Sequence, residues 1–210
     1  MSAQTRIAVN VRDQVRLATR AAHLRLEAKM DFDRRLTSLE AYRSLLEDFL
    51  RFLRPIEDAL GALDLKTFGI DFSSRRKSSL LEADLRDLGH DAASLNSLPG
   101  SCLHRPRDIP QAFGVLYVLE GSSLGREVML GKLKPSLHIS PVWAGRFFNG
   151  YGRTTGAMWR DFVNALNDVG AEPDAARIIE HSALATFTAF EECLRMPGTV
   201  SQAAIAKPSL

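Results

Sequence analysis

Hydrophobic residues recur three to four positions apart along most of the chain, which is the spacing of one buried helix face. No stretch alternates between apolar and polar residues in the manner of a half-buried strand. The pattern therefore predicts an all-α fold, a compact bundle of about seven helices. The predicted helices cover residues 11–29, 37–63, 78–89, 110–133, 140–150, 154–170 and 172–196.

Local signals mark some of the helix boundaries. Ser/Thr-x-x-Glu capping boxes begin at Thr37 and Ser79, which indicates helix starts at these residues. Pro55 lies inside the second predicted helix, where its ring should kink or divide it. Residues 90–110 are rich in Ser, Pro and Gly, a composition that predicts a loop.

Length and charge set limits on the function. A chain of 210 residues fits one domain, so 1–210 is predicted as a single unit with mobile ends at about 1–10 and 197–210. The net charge of +2 gives no strong field for nucleic acid. No stretch has the roughly 20 apolar residues of a membrane span, and the N-terminus lacks a signal-peptide core. Cys102 and Cys193 show no C-x-x-C spacing, which is typical of a reduced, cytoplasmic protein.

The familiar catalytic motifs are missing from the sequence. Di-iron bundles carry Glu-x-x-His pairs on two helices, and structural zinc needs four ligands. Neither pattern is present, and there is no G-x-S-x-G elbow or G-x-x-x-x-G-K-[ST] loop. Any active site must therefore be built from other residues.

The first predicted helix offers one candidate. His23 follows Ala22 at the edge of the apolar stripe, and Arg16 precedes it by two helical turns, roughly 10 Å along the axis. Arg20 and Glu27 share this strip. An imidazole can bind haem iron, and an arginine can pair with a propionate carboxylate. The alternative is an ordinary boundary histidine within a solvated basic stripe.

The fourth predicted helix contains four glycines, at positions 114, 121, 125 and 131. Each interior glycine costs a helix about 1 kcal/mol relative to alanine. Gly121 and Gly125 are four residues apart and share one face, which leaves a groove where a broad ligand can approach the backbone. The alternative is a close crossing with another helix through small residues.

Four segments, in this order, resemble the haem oxygenase family. They are RLATRAAHLRLE, FGVLYVLEGSSLGREVMLGKL, FFNGYGRTTGAMWRDFVNAL and ALATFTAFEECL, and together they cover most of residues 12–195. The likeness is greatest to the bacterial branch that is often associated with bacteriophytochromes. The second and third segments are the most specific.

The resemblance implies roles for individual residues. His23 would be the proximal ligand of the haem iron, and Arg16 would pair with a haem propionate. Gly121 and Gly125 would lie against the distal face of the haem. Ser122, together with backbone carbonyls, would hold distal water that delivers protons.

Three further residues follow from the same resemblance. Tyr117 would contact a haem edge, one turn before Gly121. Arg153 and Arg160 would be further basic residues near the propionates.

The chain departs from the family at three positions. Arg126 stands where many members have a second glycine, and Glu127 where many have glutamine or arginine. Ser122 replaces an aspartate of the animal enzymes, although small hydroxylated residues are familiar there in the bacterial branch. We expect Arg126 to affect the rate of turnover more than the binding of haem.

The implied reaction uses haem as both cofactor and substrate. Molecular oxygen and external electrons, from a donor such as ferredoxin or a reductase, would convert haem to biliverdin, carbon monoxide and ferrous iron. A bilin-accepting phytochrome would be a further partner. Two other classes stay open: a haem- or tetrapyrrole-binding protein without turnover, and a helical interaction module.

Overall fold

The structure, a computed structural model, describes residues 10–100, 104–125, 129, 131–132 and 137–194. Within these ranges the chain forms helices and no strand, so the all-α prediction is confirmed. Seven of the nine described α-helices have six or more residues. The helices are α1 Val11–Met30, α2 Phe32–Arg35, α3 Leu39–Gly61, α4 Ser78–Asp87, α5 Ala92–Ser97, α6 Ile109–Gly121, α7 Arg146–Asn149, α8 Thr155–Val169 and α9 Pro173–Cys193.

Helix α1 follows the predicted pattern closely. Asn10 caps its start, with the side-chain oxygen accepting a hydrogen bond from Arg12 N at 2.9 Å. The buried face consists of Val11, Val15, Ala22 and Leu26 together with Thr19, whose hydroxyl donates to Val15 O. Because this face holds the helix against the bundle, the neighbouring strip, which carries His23, remains exposed.

Helices α6 and α9 form the closest crossing. A Cβ atom added to Gly114 of α6 would lie 2.4 Å from Ile179 O and 2.6 Å from Ser182 Cβ of α9. The Ser182 hydroxyl also donates to Gln111 O across the same crossing. Gly114 is therefore the glycine that permits close helix packing.

Two helix starts were predicted at the wrong residue, and the helix that Pro55 was expected to kink or divide is undivided. The cap of α3 is Ser38, whose hydroxyl accepts from Ala41 N, while the Thr37 hydroxyl donates to Arg34 O. Helix α4 begins at Ser78 without a serine cap, because the Glu57 carboxylate accepts the backbone N–H groups of Lys77 and Ser78. Helix α3 also continues through Pro55 to Gly61 and is not divided there.

The interval predicted as a loop at 90–110 contains a short helix. Asp91 caps α5, with its carboxylate accepting from Ser94 N at 2.8 Å. The fifth predicted helix, at 140–150, is in turn shortened to the four residues of α7. Residues Ser140 and Trp143 exchange backbone hydrogen bonds before it, and Ala144 has a positive φ of 55°.

The long helix predicted over 110–133 is interrupted. Helix α6 ends at Gly121 and Ser122–Gly125 forms a 3₁₀ turn, while Met129, Gly131 and Lys132 are again helical. The Ser122 and Ser123 hydroxyls both donate to Leu119 O, at 2.8 and 3.3 Å. Side chains that bond to nearby backbone groups compete with the helical ladder, which explains the break.

Several sequence-based expectations lie outside the described residues. They concern Arg126, Glu127, Cys102, residues 1–9 and the tail at 197–210. Among the residues that are described, no helix is long and apolar enough to cross a membrane.

Candidate functional site

A cavity of about 820 Å³ opens beside α1 and the end of α6. Small-molecule sites commonly have volumes of about 300–1,000 Å³, so the space suits one sizeable ligand. Its walls come from α1, α2, α3, α6, the Ser122–Gly125 turn, Met129, α7, α8 and α9. Aromatic residues supply much of the lining: Phe32, Phe49, Phe52, Tyr117, Phe147, Phe148, Trp159, Phe187 and Phe190.

Helix α1 places His23 in the cavity wall. Its side chain is 53% exposed, and its Nδ1 atom lies 3.5 Å from Glu27 Oε2, one turn further along the helix. The Phe187 ring approaches the imidazole edge-on, with 5.8 Å between ring centroids. A carboxylate near Nδ1 favours the tautomer with its proton on that atom, which leaves Nε2 as the ligating nitrogen.

The same helix gives the cavity a basic rim. Arg12, Arg16 and Arg20 all line it. Arg16 is 69% exposed and its Nε lies 3.8 Å from an Asp13 carboxylate oxygen, so this contact is a solvated ion pair. Exposed pairs of this kind contribute little to stability, and the guanidinium is therefore available to a carboxylate-bearing ligand.

Tyr117 of α6 joins this rim from the opposite wall. It is partly buried, and its hydroxyl is in hydrogen-bond contact with Thr19 of α1. Burial raises the pKa of Tyr117, while Thr19 and the charges of Arg12 and Arg16 act in the other direction. The predicted residues Arg16, His23 and Tyr117 therefore do share one cavity.

Gly121 and Gly125 border open space. A Cβ atom on Gly125 would meet nothing within 4 Å, and one on Gly121 would meet only the Trp159 ring, at 3.8 Å. Both residues line the cavity. The helix-crossing interpretation thus fits Gly114 and does not fit these two glycines, which leave a bare surface beside the cavity.

Ser122 lies on the same bare surface. Its hydroxyl proton is directed to Leu119 O at 2.8 Å, and both residues line the cavity. This end of α6 therefore places a serine in the wall of a cavity whose other walls are largely aromatic.

Two predicted residues are not brought into the site. Arg153 and Arg160 are exposed, and neither is among the residues that line the cavity. Their pairing with propionates stays a prediction. The sequence reasoning in turn missed Arg12, which lines the cavity; its position one helical turn before Arg16 is the signal that would have revealed it.

The donor set bears on what the cavity can hold. Within the described ranges no group of three or more His, Cys, Asp and Glu residues could hold a metal ion. A metal bound by His23 would therefore need its remaining donors from its own ligand. An iron held in a planar macrocycle meets this condition, and the macrocycle's carboxylates would meet the basic rim of α1.

Comparisons with known proteins agree with this geometry. The family model described as "Heme oxygenase" matches residues 9–196. No curated protein has a sequence that matches this chain significantly.

Solved structures of the same fold include proteins of three bacteria. The NO- and CO-bound haem oxygenase of Neisseria meningitidis superposes with a TM-score of 0.78 at 20% identity, covering 97% of this chain and 99% of that chain. The haem oxygenase of Leptospira interrogans gives 0.70 at 14% identity, covering 88% and 98%. Haem oxygenase-1 of the cyanobacterium Synechocystis, solved in complex with haem, gives 0.65 at 16% identity, covering 88% and 90%.

The family match spans most of the chain, and its range includes every residue that lines the cavity. The structural likeness extends over the same helices. This protein belongs to the haem oxygenase family.

Proposed function

We propose that this protein is a cytoplasmic enzyme that binds haem through His23 and cleaves it to biliverdin, carbon monoxide and ferrous iron. Haem would be both cofactor and substrate, and oxygen and external electrons would be consumed. The observation that carries the proposal is that one apolar cavity holds His23, the Arg16 side chain and the bare surface at Gly121 and Gly125.

The residues present fit haem in size and chemistry. The cavity is large and lined by aromatic side chains, which suits an apolar macrocycle. His23 would hold the iron, Arg16 would pair with a propionate, and Gly121 and Gly125 would lie against the opposite face. Tyr117 would contact the edge of the macrocycle.

The bound group supplies the redox-active iron and the carbon atom that is oxidised. The side chains of the protein hold this group in position. Glu27 and Phe187 orient the His23 ring, and a charge-assisted hydrogen bond from Arg16 fixes the rotation of the macrocycle in its plane.

The polar end of α6 supplies hydrogen bonds on the opposite side. A water molecule at the cavity could donate to the oxygen of Ser122, whose own proton goes to Leu119 O, and such a water would relay protons without a side-chain general base. With haem bound, the aromatic walls would limit the water around the ligand, which would strengthen the polar interactions there. This arrangement accounts for the missing catalytic motifs.

The test is a titration followed by a reduction. Ferric haem added to the protein is expected to give a Soret band, and adding a reductant such as ascorbate, or ferredoxin with its reductase, is expected to convert that band to the absorption of biliverdin. His181→Ala is a matched control, because His181 is an exposed histidine that does not line the haem cavity. This variant should behave as the wild type does.

Two other outcomes would replace the proposal. The absence of any Soret band would indicate that the protein does not bind haem and is a helical interaction module. A band without bilin would indicate a haem- or tetrapyrrole-binding protein without turnover, and Arg126→Gly would then test whether that residue silences the enzyme. If the proposal holds, we expect Arg126→Gly to change the rate only modestly.

We also propose that the chain belongs to the bacteriophytochrome-associated branch, and that its biliverdin is passed to a bilin-accepting phytochrome. The support is the likeness of the Phe113–Leu133 and Phe147–Leu166 segments to that branch. Transfer of biliverdin from the enzyme to an apo-phytochrome, followed by the absorption of the phytochrome, tests the partner directly.

A further inference from the structure

Buried charges meet behind the cavity, at the end of α6. The Glu120 carboxylate is 1% exposed and accepts three hydrogen bonds. Their donors are Arg75 at 2.7 Å, Lys77 Nζ at 3.0 Å and the Tyr151 hydroxyl at 2.7 Å. Arg75 and Lys77 are 4% and 2% exposed. Charged groups are rarely this buried unless they are paired, so the cluster is a defined structural element.

The cluster joins distant parts of the chain. Arg75 also donates to Met158 O of α8, and the Lys77 ammonium lies 5.0 Å from the centre of the Tyr151 ring. Lys77 additionally donates to Leu119 O at 3.2 Å. The last turn of α6 is therefore held from three directions.

A continuous hydrogen-bonded path runs from this cluster to the cavity. Lys77 Nζ and the Ser122 hydroxyl donate to the same acceptor, Leu119 O. Leu119 and Ser122 line the cavity, whereas Lys77 and Glu120 do not. The buried charge thus contacts the cavity wall through one backbone carbonyl.

We propose that Lys77, held in place by Glu120 and Tyr151, is a positioning residue that fixes Leu119 O and the Ser122 hydroxyl at the cavity; for its role in catalysis, this inference rests on the proposed function. A cation at the last carbonyls of a helix is favourably placed with respect to the helix dipole. Its hydrogen bond fixes the position of Leu119 O, the atom to which the Ser122 hydroxyl donates at 2.8 Å. The Ser122 proton is therefore kept on that carbonyl, and Ser122 presents an acceptor oxygen to the cavity.

The consequence concerns a water molecule on this side of a bound haem. Such a water would have to donate to Ser122, which sets its orientation and the direction in which it passes a proton. A rotated Ser122 hydroxyl would instead donate to the water and reverse that orientation. Lys77 therefore selects between two hydrogen-bond patterns without contacting the ligand.

The first test uses the protein without haem. Lys77→Met removes the cation and retains the length of the side chain, and Arg35→Met breaks another buried ion pair, with Asp48 at 2.8 Å, which lies outside the cavity wall. Hydrogen exchange of the peptide covering residues 117–125 is measured by mass spectrometry. We expect exchange about tenfold faster in Lys77→Met than in Arg35→Met at equal distance below the melting temperature. Equal exchange in the two variants would overturn the proposal.

The second test is a double-mutant cycle on the haem complex. The absorption spectrum of the ferric haem complex is recorded as the pH is raised. The measured quantity is the pH at which half of the complex has changed from its low-pH spectrum to its high-pH spectrum. Lys77→Met is expected to shift this midpoint when Ser122 is present, and to shift it far less in a Ser122→Ala background, because the two residues act through one carbonyl. Additive shifts would mean that Lys77 only stabilises the fold.

A milder variant covers the case in which Lys77→Met does not fold. Tyr151→Phe removes one hydrogen bond to Glu120 and retains every charge and the ring beside Lys77. It should show the same two effects at smaller amplitude, and unchanged exchange with an unchanged midpoint would also overturn the proposal. Neither measurement needs turnover. A protein that fails to cleave haem would therefore contradict the proposed function, while the exchange data would still decide this inference.

Discussion

Gly114 and Gly125 should respond in opposite ways to similar substitutions. Gly114→Ala places a methyl carbon 2.4 Å from Ile179 O, a backbone atom of α9 that cannot swing aside. Overpacking of this kind typically costs about 1–3 kcal/mol, and alanine recovers only about 1 kcal/mol through its higher helix propensity. Because the clash is with a backbone atom, the upper end of this cost applies, and we expect the free energy of unfolding to fall by about 2 kcal/mol.

Gly125 has no such neighbour. A Cβ atom there would meet nothing within 4 Å, so Gly125→Ala should leave the free energy of unfolding within about 0.5 kcal/mol of the wild type. Gly125→Leu should also fold, but its side chain would project from the surface proposed to lie against haem. We therefore expect this variant to be stable and to bind haem far more weakly.

Thermal unfolding of the haem-free variants measures the first effect, since 1 kcal/mol corresponds to about 2–4 °C in a protein of this size. A haem titration measures the second. If Gly125→Leu lowered the melting temperature as Gly114→Ala does, Gly125 would be a packing glycine. If it bound haem with wild-type affinity, the proposed placement of haem would be wrong.

Three further predictions concern single side chains. His23→Ala should abolish turnover without loss of stability, because the side chain is 53% exposed, and added imidazole should partly restore the haem spectrum; an unchanged spectrum would remove His23 as the ligand. Arg16→Glu should weaken haem binding or change the isomer composition of the biliverdin, which chromatography measures, and wild-type values of both would make Arg16 a solvated charge. Burial and the charge of His181 lower the pKa of His104 below 6.5. As the pH falls, the unfolded chain therefore binds a proton at His104 before the folded protein does, and the free energy of unfolding should fall as the pH drops below 6.5. Melts at about pH 7.5 and about pH 5.5 should show this fall, and it should be smaller in His104→Gln, which retains a donor to Ser182.

The sequence was most informative where one helix face is wholly buried. Val15, Ala22 and Leu26 define α1 because burial and helical spacing coincide there. The same pattern placed His23 on the neighbouring strip, where the cavity lies.

The break after Gly121 was not predictable from spacing. It depends on two serine hydroxyls that bond to Leu119 O, and a helical pattern gives no sign of which backbone group a side chain will choose. The burial of Glu120 was not predictable either, because in the sequence a single glutamate among apolar residues looks like a residue on the solvent-exposed face of the helix. Its partners Arg75 and Tyr151 are distant in sequence, and only the tertiary structure brings them to it.

Helix α1 carries His23 and the basic rim on one continuous rod, and this has a kinetic consequence. The rod is held along its buried face and, near its two ends, by the hydrogen bond from Arg12 N to the Asn167 side chain and by the bond from Lys29 to Glu191 O. The spacing between the imidazole and the guanidinium groups is therefore set by the helix and does not change when α1 packs less tightly. This spacing fixes the orientation of a ligand that contacts both groups, whereas the residence time of the ligand depends on the contacts that hold α1 against the bundle. Weakening the Lys29 attachment should shorten that residence time while the orientation of the bound molecule stays the same.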